Sequence, residues 1–137
     1  MKRTALSHAL IIALIAAAPA WAAPGDSGDS SSGPPADPAM EKVATAIDAK
    51  DWPRAQQATR DALAANPQKA DYHNLYAYSI RMGANPSMDL VFRHYNEALR
   101  LEPQHRGAHE YIGEAYLMVG NLAKAKEHLG QLDRICS

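Results

Sequence analysis

"IGEAYLMVGNLAKAKEHLGQL", residues 112–132, reads as two short helical stretches around a glycine. Ile112 and Gly113 set a bulky apolar residue beside the smallest one, Tyr116 follows three positions on, and Gly120 stands where the chain must turn. Beyond the turn Ala125 supplies a second small residue, with Leu129 and Leu132 following it. Small residues on each stretch let two helices approach closely, and bulky ones fill the space around the contact. One such hairpin leaves an apolar face bare, so the pattern demands neighbours built the same way.

The neighbours are present. Pro103 closes the preceding unit, and before it Val91, Tyr95, Ala98 and Leu99 keep the spacing of one helical face. Its first helix offers Tyr76, Ala77 and Ile80. The intervening turn, "MGANPSM" at 82–88, is longer than the usual one by a net two residues. Asn85-Pro86 reads there as a helix start, because proline at a first helical position forfeits no hydrogen bond. One unit further back Pro67 is the closing proline. Ala55, Thr59, Ala62 and Leu63 repeat the second-helix columns. Met40, Val43, Ala44 and Ile47 fill the first-helix columns if the turn near Asp51 is one residue short. Three units result, at about 37–69, 70–105 and 106–137. Ala44, Ala77 and Gly113 are the expected close-contact residues of the first helices, and Ala55 and Ala125, with the larger Val91, those of the second. Tyr76, Ile80, Tyr95, Tyr116 and Leu129 are the expected filling. The region 38–137 is rich in Ala, Leu and helix-forming polar residues and has no alternating β-branched run, so the fold class is all-α.

On these residues the chain resembles the tetratricopeptide repeat family over nearly all of its folded part. The resemblance implies a right-handed α-α superhelix, a solenoid of about three helical hairpins with a concave face that binds protein or peptide. More narrowly, "HRGAHEYIGEAYL" (105–117) together with "KAKEHLGQLDRIC" (124–136) is similar to a group of small exported bacterial tetratricopeptide proteins. Members of that group continue past this point with a second cysteine and another helix, whereas this sequence stops at Ile135-Cys136-Ser137.

The beginning of the chain has another character. Lys2 and Arg3 precede an apolar run from about Ala9 to Ala18, and Ala20-Trp21-Ala22 supplies a small-residue cleavage site. This is the layout of a secretory signal peptide over 1–22. The run is well short of the ~20 residues that span a bilayer, so no stable membrane anchor is expected after cleavage. Cleavage after Ala22 removes two basic residues and takes the net charge from −1 to about −3. Such a chain offers no basic field for nucleic acid. Residues 23–37, with "PGDSGDSSSGPPAD" at 24–37, are too poor in apolar side chains to offset ordering entropy and read as a disordered linker. The domain therefore runs from 38 to 137, in a protein expected to be exported, to the periplasm or beyond. A single cysteine, Cys136, excludes an intramolecular disulfide; it serves either as a small apolar residue at a helix end or as a thiol for an outside partner.

His105 and His109 stand four apart, as do Glu110 and Glu114. A helical metal pair needs both imidazoles inside one helix, and His105 falls in the turn after Pro103, before the helix begins. His109, like His73 one unit earlier, takes a packing position normally filled by a large aromatic. Both read as satisfied, half-buried rings, and no metal ligand is assigned. The rival reading is a metal-handling protein using His105 and His109 with His94 or His128. No nucleophile motif, phosphate loop, Cys-x-x-Cys or His-Glu-x-x-His is present, so no catalytic residue and no cofactor are assigned and the chain is read as a non-enzyme.

The resemblance places the groove on first-helix positions. These are Glu41, Thr45 and Asp48 in the first unit, Asp71, Asn74, Tyr78 and Arg81 in the second, and Gly107, Glu110, Glu114 and Leu117 in the third. Tyr and Arg are residue types that dominate binding energy, and Asn both donates and accepts. Asp71, Glu110 and Glu114 stand where a carboxylate-gripping groove would carry lysines and asparagines, so the expected partner is another protein or peptide, basic or extended. The last helix, with no hairpin following it, could also pair two copies of the chain as a homodimer or as part of a structural assembly.

Overall fold

The computed structural model describes residues 36–137 and resolves them into six helices with no strand among them. These are α1 (Pro38–Asp48), α2 (Trp52–Ala65), α3 (Ala70–Met82), α4 (Met88–Leu101), α5 (Arg106–Met118) and α6 (Leu122–Cys136). The leader expected over 1–22, and residues 23–35 of the linker expected over 23–37, lie outside the described residues. Asp37, read from sequence as the end of that linker, instead belongs to the fold. Its carboxylate caps α1 by accepting from the Ala39 and Met40 amides, accepts from the Tyr72 hydroxyl and pairs with Lys69. The Lys69 ammonium, then the Met40 amide and Tyr72, hold its pKa far below the usual carboxylate range.

Each consecutive pair of helices packs together, and the first helices of the hairpins also touch in succession, α1 on α3 and α3 on α5. The second helices α2, α4 and α6 do not meet one another. The hairpins therefore stack with one row of helices inside and one outside, a helical solenoid. The main core lies between the second and third hairpins, where Tyr76, Ala77, Ile80, Val91, Tyr95, Ile112 and Ala115 are buried together. Leu63 of α2, Phe92 of α4 and Tyr116 of α5 close over it. Ile112 and Tyr95 are fully buried; burying one such side chain stabilises by about 1.5–3 kcal/mol, so this interface holds the stack together.

The turns correct the expected register of the first hairpin. Lys50 in the α1–α2 turn takes the left-handed φ of 54° that Gly120 takes, at 76°, in the α5–α6 turn. The bonds around them match one for one: Lys50 N–H to Ile47 and Gly120 N–H to Leu117, Asp51 N–H to Ala46 and Asn121 N–H to Tyr116. Asp51 and Asn121 then cap the next helix by accepting from Arg54 and Lys124. The first turn is of ordinary length, not one residue short. Val43, rather than Ala44, therefore shares the column of Ala77 and Gly113. Val43 and Ala46 are buried while Ala44 is exposed. The groove positions of this unit move with the register, from Glu41, Thr45 and Asp48 to Met40, Ala44 and Ile47.

The α3–α4 turn is the long one, as expected, but Pro86 does not open α4. Asn85 is left-handed at φ 53° and the helix begins at Met88 after Ser87. Leu129, expected as filling, is 59% exposed, because among the described residues α6 packs against α5 alone. A Cβ on Gly113 would meet only His128 Cβ at 3.7 Å and the Ala125 carbonyl at 3.9 Å, so that helix contact does not require glycine. Cys136 is exposed at the end of α6.

Candidate functional site

The inner row of helices carries a cluster that spans all three hairpins. Tyr78 on α3 meets Trp52 of α2 edge-on at 5.9 Å and Tyr111 of α5 at 4.8 Å. The Arg81 guanidinium lies over both tyrosine rings, 5.5 and 5.9 Å from their centroids. It donates to the Tyr95 hydroxyl at 3.3 Å and to Glu114 at 2.5 Å. Burial works against its charge, but the Tyr95 hydroxyl and the Glu114 carboxylate outweigh that and raise its pKa above the ordinary value. Burial likewise raises the Tyr95 and Tyr111 hydroxyls. Arg81 is only 7% exposed. Its charge is consumed within the fold, joining α3, α4 and α5.

The other residues expected in the groove separate into two groups. Asp71, Glu110, Glu114 and Leu117 are exposed, and Tyr78 and Tyr111 are half-buried. Asp71 is engaged by His105, whose Nε2 lies 3.0 Å from its carboxylate. Asn74 is buried, with its Oδ1 lacking a partner and its Nδ2 facing the backbone of Gly107. The face thus presents an aromatic shelf bordered by carboxylates. Sequence reasoning missed Trp52 and Tyr111, which lie outside the expected positions; their signal was aromatic character near helix ends and beside Glu110.

The structure does not bring His105 and His109 together. His105 is the N-cap of α5, its Nδ1 accepting from the Ala108 amide. His109 turns the other way, with Nε2 2.9 Å from the Pro103 carbonyl and Nδ1 2.9 Å from Nδ1 of His128. The same arrangement recurs one hairpin earlier, His73 Nε2 to Pro67 at 2.9 Å and His73 Nδ1 to His94 Nδ1 at 2.9 Å. A carbonyl only accepts, so His73 and His109 carry their proton on Nε2 and leave Nδ1 bare. His94 and His128 must then donate from Nδ1. Burial first, and the facing His73 second, push His94 down to about 4; burial and His109 lower His128 in the same way. The closing prolines fix these rings through their carbonyls, a link the sequence could signal only through the shared columns of His94 and His128.

At the end of the stack a groove of about 400 Å³ opens between α5 and α6, lined by Leu117, Leu122, Ala125, Leu129 and Leu132 with Glu114 and Lys126 at its rim. Among the described residues no group of three or more histidine, cysteine or acidic side chains converges as a metal site, and no helix is long and apolar enough to cross a membrane.

No protein-family model matches the sequence, and no curated protein matches it. Solved structures do. The TPR2B domain of yeast Sti1, in its complex with pHsp70, superposes with a TM-score of 0.66 at 20% identity, covering 72% of this chain and 77% of that one. MamA from Desulfovibrio magneticus RS-1, residues 41 to the end, gives 0.64 at 18% identity over 71% of this chain and 54% of its own. MamA of MSR-1 gives 0.61 at 18% identity, over 71% and 55%. The chain spans about half the length of the MamA chains it matches. Likeness at this identity is likeness of fold, and it agrees with the hairpins, closing prolines and inner row described above: the chain has the tetratricopeptide-repeat fold.

Proposed function

We propose that the chain is an exported interaction module that binds another protein or peptide, without covalent chemistry, on the face formed by α1, α3 and α5. The observation that carries this reading is the Trp52–Tyr78–Tyr111 shelf with Asp71, Glu110 and Glu114 around it. Aromatic rings give large contact area at small entropic cost. Arg81, whose guanidinium lies over both tyrosine rings, is neutralised by Glu114. A basic or extended partner suits such a surface, because acidic walls attract lysine and arginine and repel acidic competitors. The Sti1 domain that shares the fold is found in complex with pHsp70, which supports a peptide or protein as the partner. The leader read over 1–22 supports a periplasmic location.

The test is site-specific photo-crosslinking in the cell envelope, with the crosslinker at Tyr78 or Glu110 on the inner face and at Asn96 on α4 as the control. A partner captured from the first two positions and not the third is the expected result, weakened by Glu110→Lys. Equal capture from Asn96, or no effect of Glu110→Lys, contradicts the proposal.

A second reading is favoured by the exposed Leu117, Met118, Val119, Leu122 and Leu129 at the open end. Two copies packed through α6 would cover them. Sedimentation distinguishes a dimer that Leu129→Glu dissociates from a monomer that ignores the substitution.

A further inference from the structure

We propose that His73–His94 and His109–His128 are two separate two-imidazole sites for a divalent transition metal ion of the zinc or copper class. The rings of each pair meet end to end, nitrogen to nitrogen. Their centroids are 5.1 and 5.2 Å apart while the facing Nδ1 atoms are 2.9 Å apart in both. Behind each pair a proline carbonyl takes the Nε2 proton of the inner ring. That is the support metal-bound histidines characteristically have, since it fixes the tautomer and aims the other nitrogen. One proton then separates the hydrogen-bonded state from a ligand pair. When His94 or His128 moves its proton from Nδ1 to Nε2, two lone pairs face each other along the nitrogen–nitrogen line and no net charge changes. Imidazole suits zinc and copper. Two nitrogens about 2.05 Å from a tetrahedral ion lie about 3.3 Å apart with their lone pairs converging at about 109°, so each pair must open by about 0.4 Å and its two rings must swing out of their common line by about 35° each.

The hairpin itself does not demand these pairs. In the corrected register Ala39 and Ala58 occupy the corresponding columns of the first hairpin, which forms without any imidazole. Access is available because His94 and His128 are half-buried rather than sealed. Waters would fill the remaining coordination positions, as no third ligand converges there among the described residues. The charges beside each pair nearly cancel: Arg93 and Glu97 near His94, Lys124 and Glu127 near His128.

The test is metal uptake by the chain purified without a histidine tag, titrated with Zn²⁺ and, separately, Cu²⁺ by calorimetry. Uptake of about two ions per chain is expected, falling to about one in His94→Gln or His128→Gln and lost in the double variant. His105→Asn should keep both. Glutamine can donate to the facing Nδ1, and circular dichroism verifies that the variants remain helical. Histidine ¹⁵N spectra of the unaltered chain give a second readout: metal should move the His94 and His128 protons from Nδ1 to Nε2. No uptake of either ion, uptake untouched by the double variant, or Nδ1 protons retained at saturating metal would each overturn the proposal.

Discussion

Replacing Arg81 by methionine tests the inner face where it meets the core. The Tyr95 side chain is fully buried, and its hydroxyl is held by the Arg81 Nε–H. Without that donor a buried hydroxyl is left unpaired, which costs about 1–3 kcal/mol. Two guanidinium–tyrosine contacts disappear as well, about 0.5–1 kcal/mol each at partly exposed rings. Loss of the Glu114 pair adds little, because that side chain is about half exposed and rehydrates. Methionine refills part of the volume, so the expected loss is roughly 2–4 kcal/mol. In a domain of this size each kcal/mol lowers Tm by about 4–8 °C. The assay is urea unfolding followed by circular dichroism, in a cycle with Tyr95→Phe. Alone, Tyr95→Phe should cost about 1 kcal/mol; in the Arg81→Met background it should cost nothing or stabilise, since it removes the stranded hydroxyl. A coupling of about 1–2 kcal/mol is the expected outcome. Strict additivity, within about 0.3–0.5 kcal/mol, would refute the reasoning that Arg81 acts by satisfying Tyr95.

Three further outcomes follow from the same geometry. The folded His94 value of about 4 lies below its ordinary 6.5, so between those pH values the unfolded chain takes a proton that the folded chain refuses. Stability should therefore be unaffected above about pH 6.5 and fall as pH drops toward 4, by about 1–2 kcal/mol once the exposed half of the ring is allowed for, and His94→Gln should flatten that slope in unfolding measured across the range. Gly113→Ala meets only ordinary contacts and should stabilise by about 0.5–1 kcal/mol in thermal unfolding. Gly120→Ala, at φ 76°, should destabilise by about 1 kcal/mol.

The third hairpin was legible because Gly120 marks its left-handed turn and Ile112, Tyr116 and Ala125 fall at helical spacing on either side of it, although the contact at Gly113 does not itself require glycine. The first hairpin slipped by one residue for a physical reason. Among the described residues no hairpin precedes it, and Lys42 and Thr45 occupy columns that in the later units hold Tyr76 and Ile112, or Ser79 and Ala115. Met40, Val43, Ala44 and Ile47 fit either register at helical spacing, and only the left-handed Lys50 decides between them. The residues expected on the candidate face sit in environments that their positions alone do not reveal. Nothing local to Arg81 says that Tyr95, fourteen residues on, and Glu114, a hairpin away, will enclose it. Asn74 is buried and lies so close to Gly107 of the next unit that a Cβ there would stand 3.1 Å from its Nδ2, a closeness set by the stack. The histidine partners were hidden in the same way. Spacing within one helix drew attention to His105 and His109, whereas the pairs that form lie across facing helices.

The most direct test of recognition on the inner face is a chemical-shift map. A ¹⁵N-labelled chain would be titrated with a peptide taken from the crosslinked partner. Perturbations should concentrate at Tyr78, Glu110, Tyr111 and Glu114 and be lost in Glu110→Lys. Perturbations gathered instead at Arg93, Asn96 and Arg100 on α4, with the inner row silent at saturation, would contradict the account.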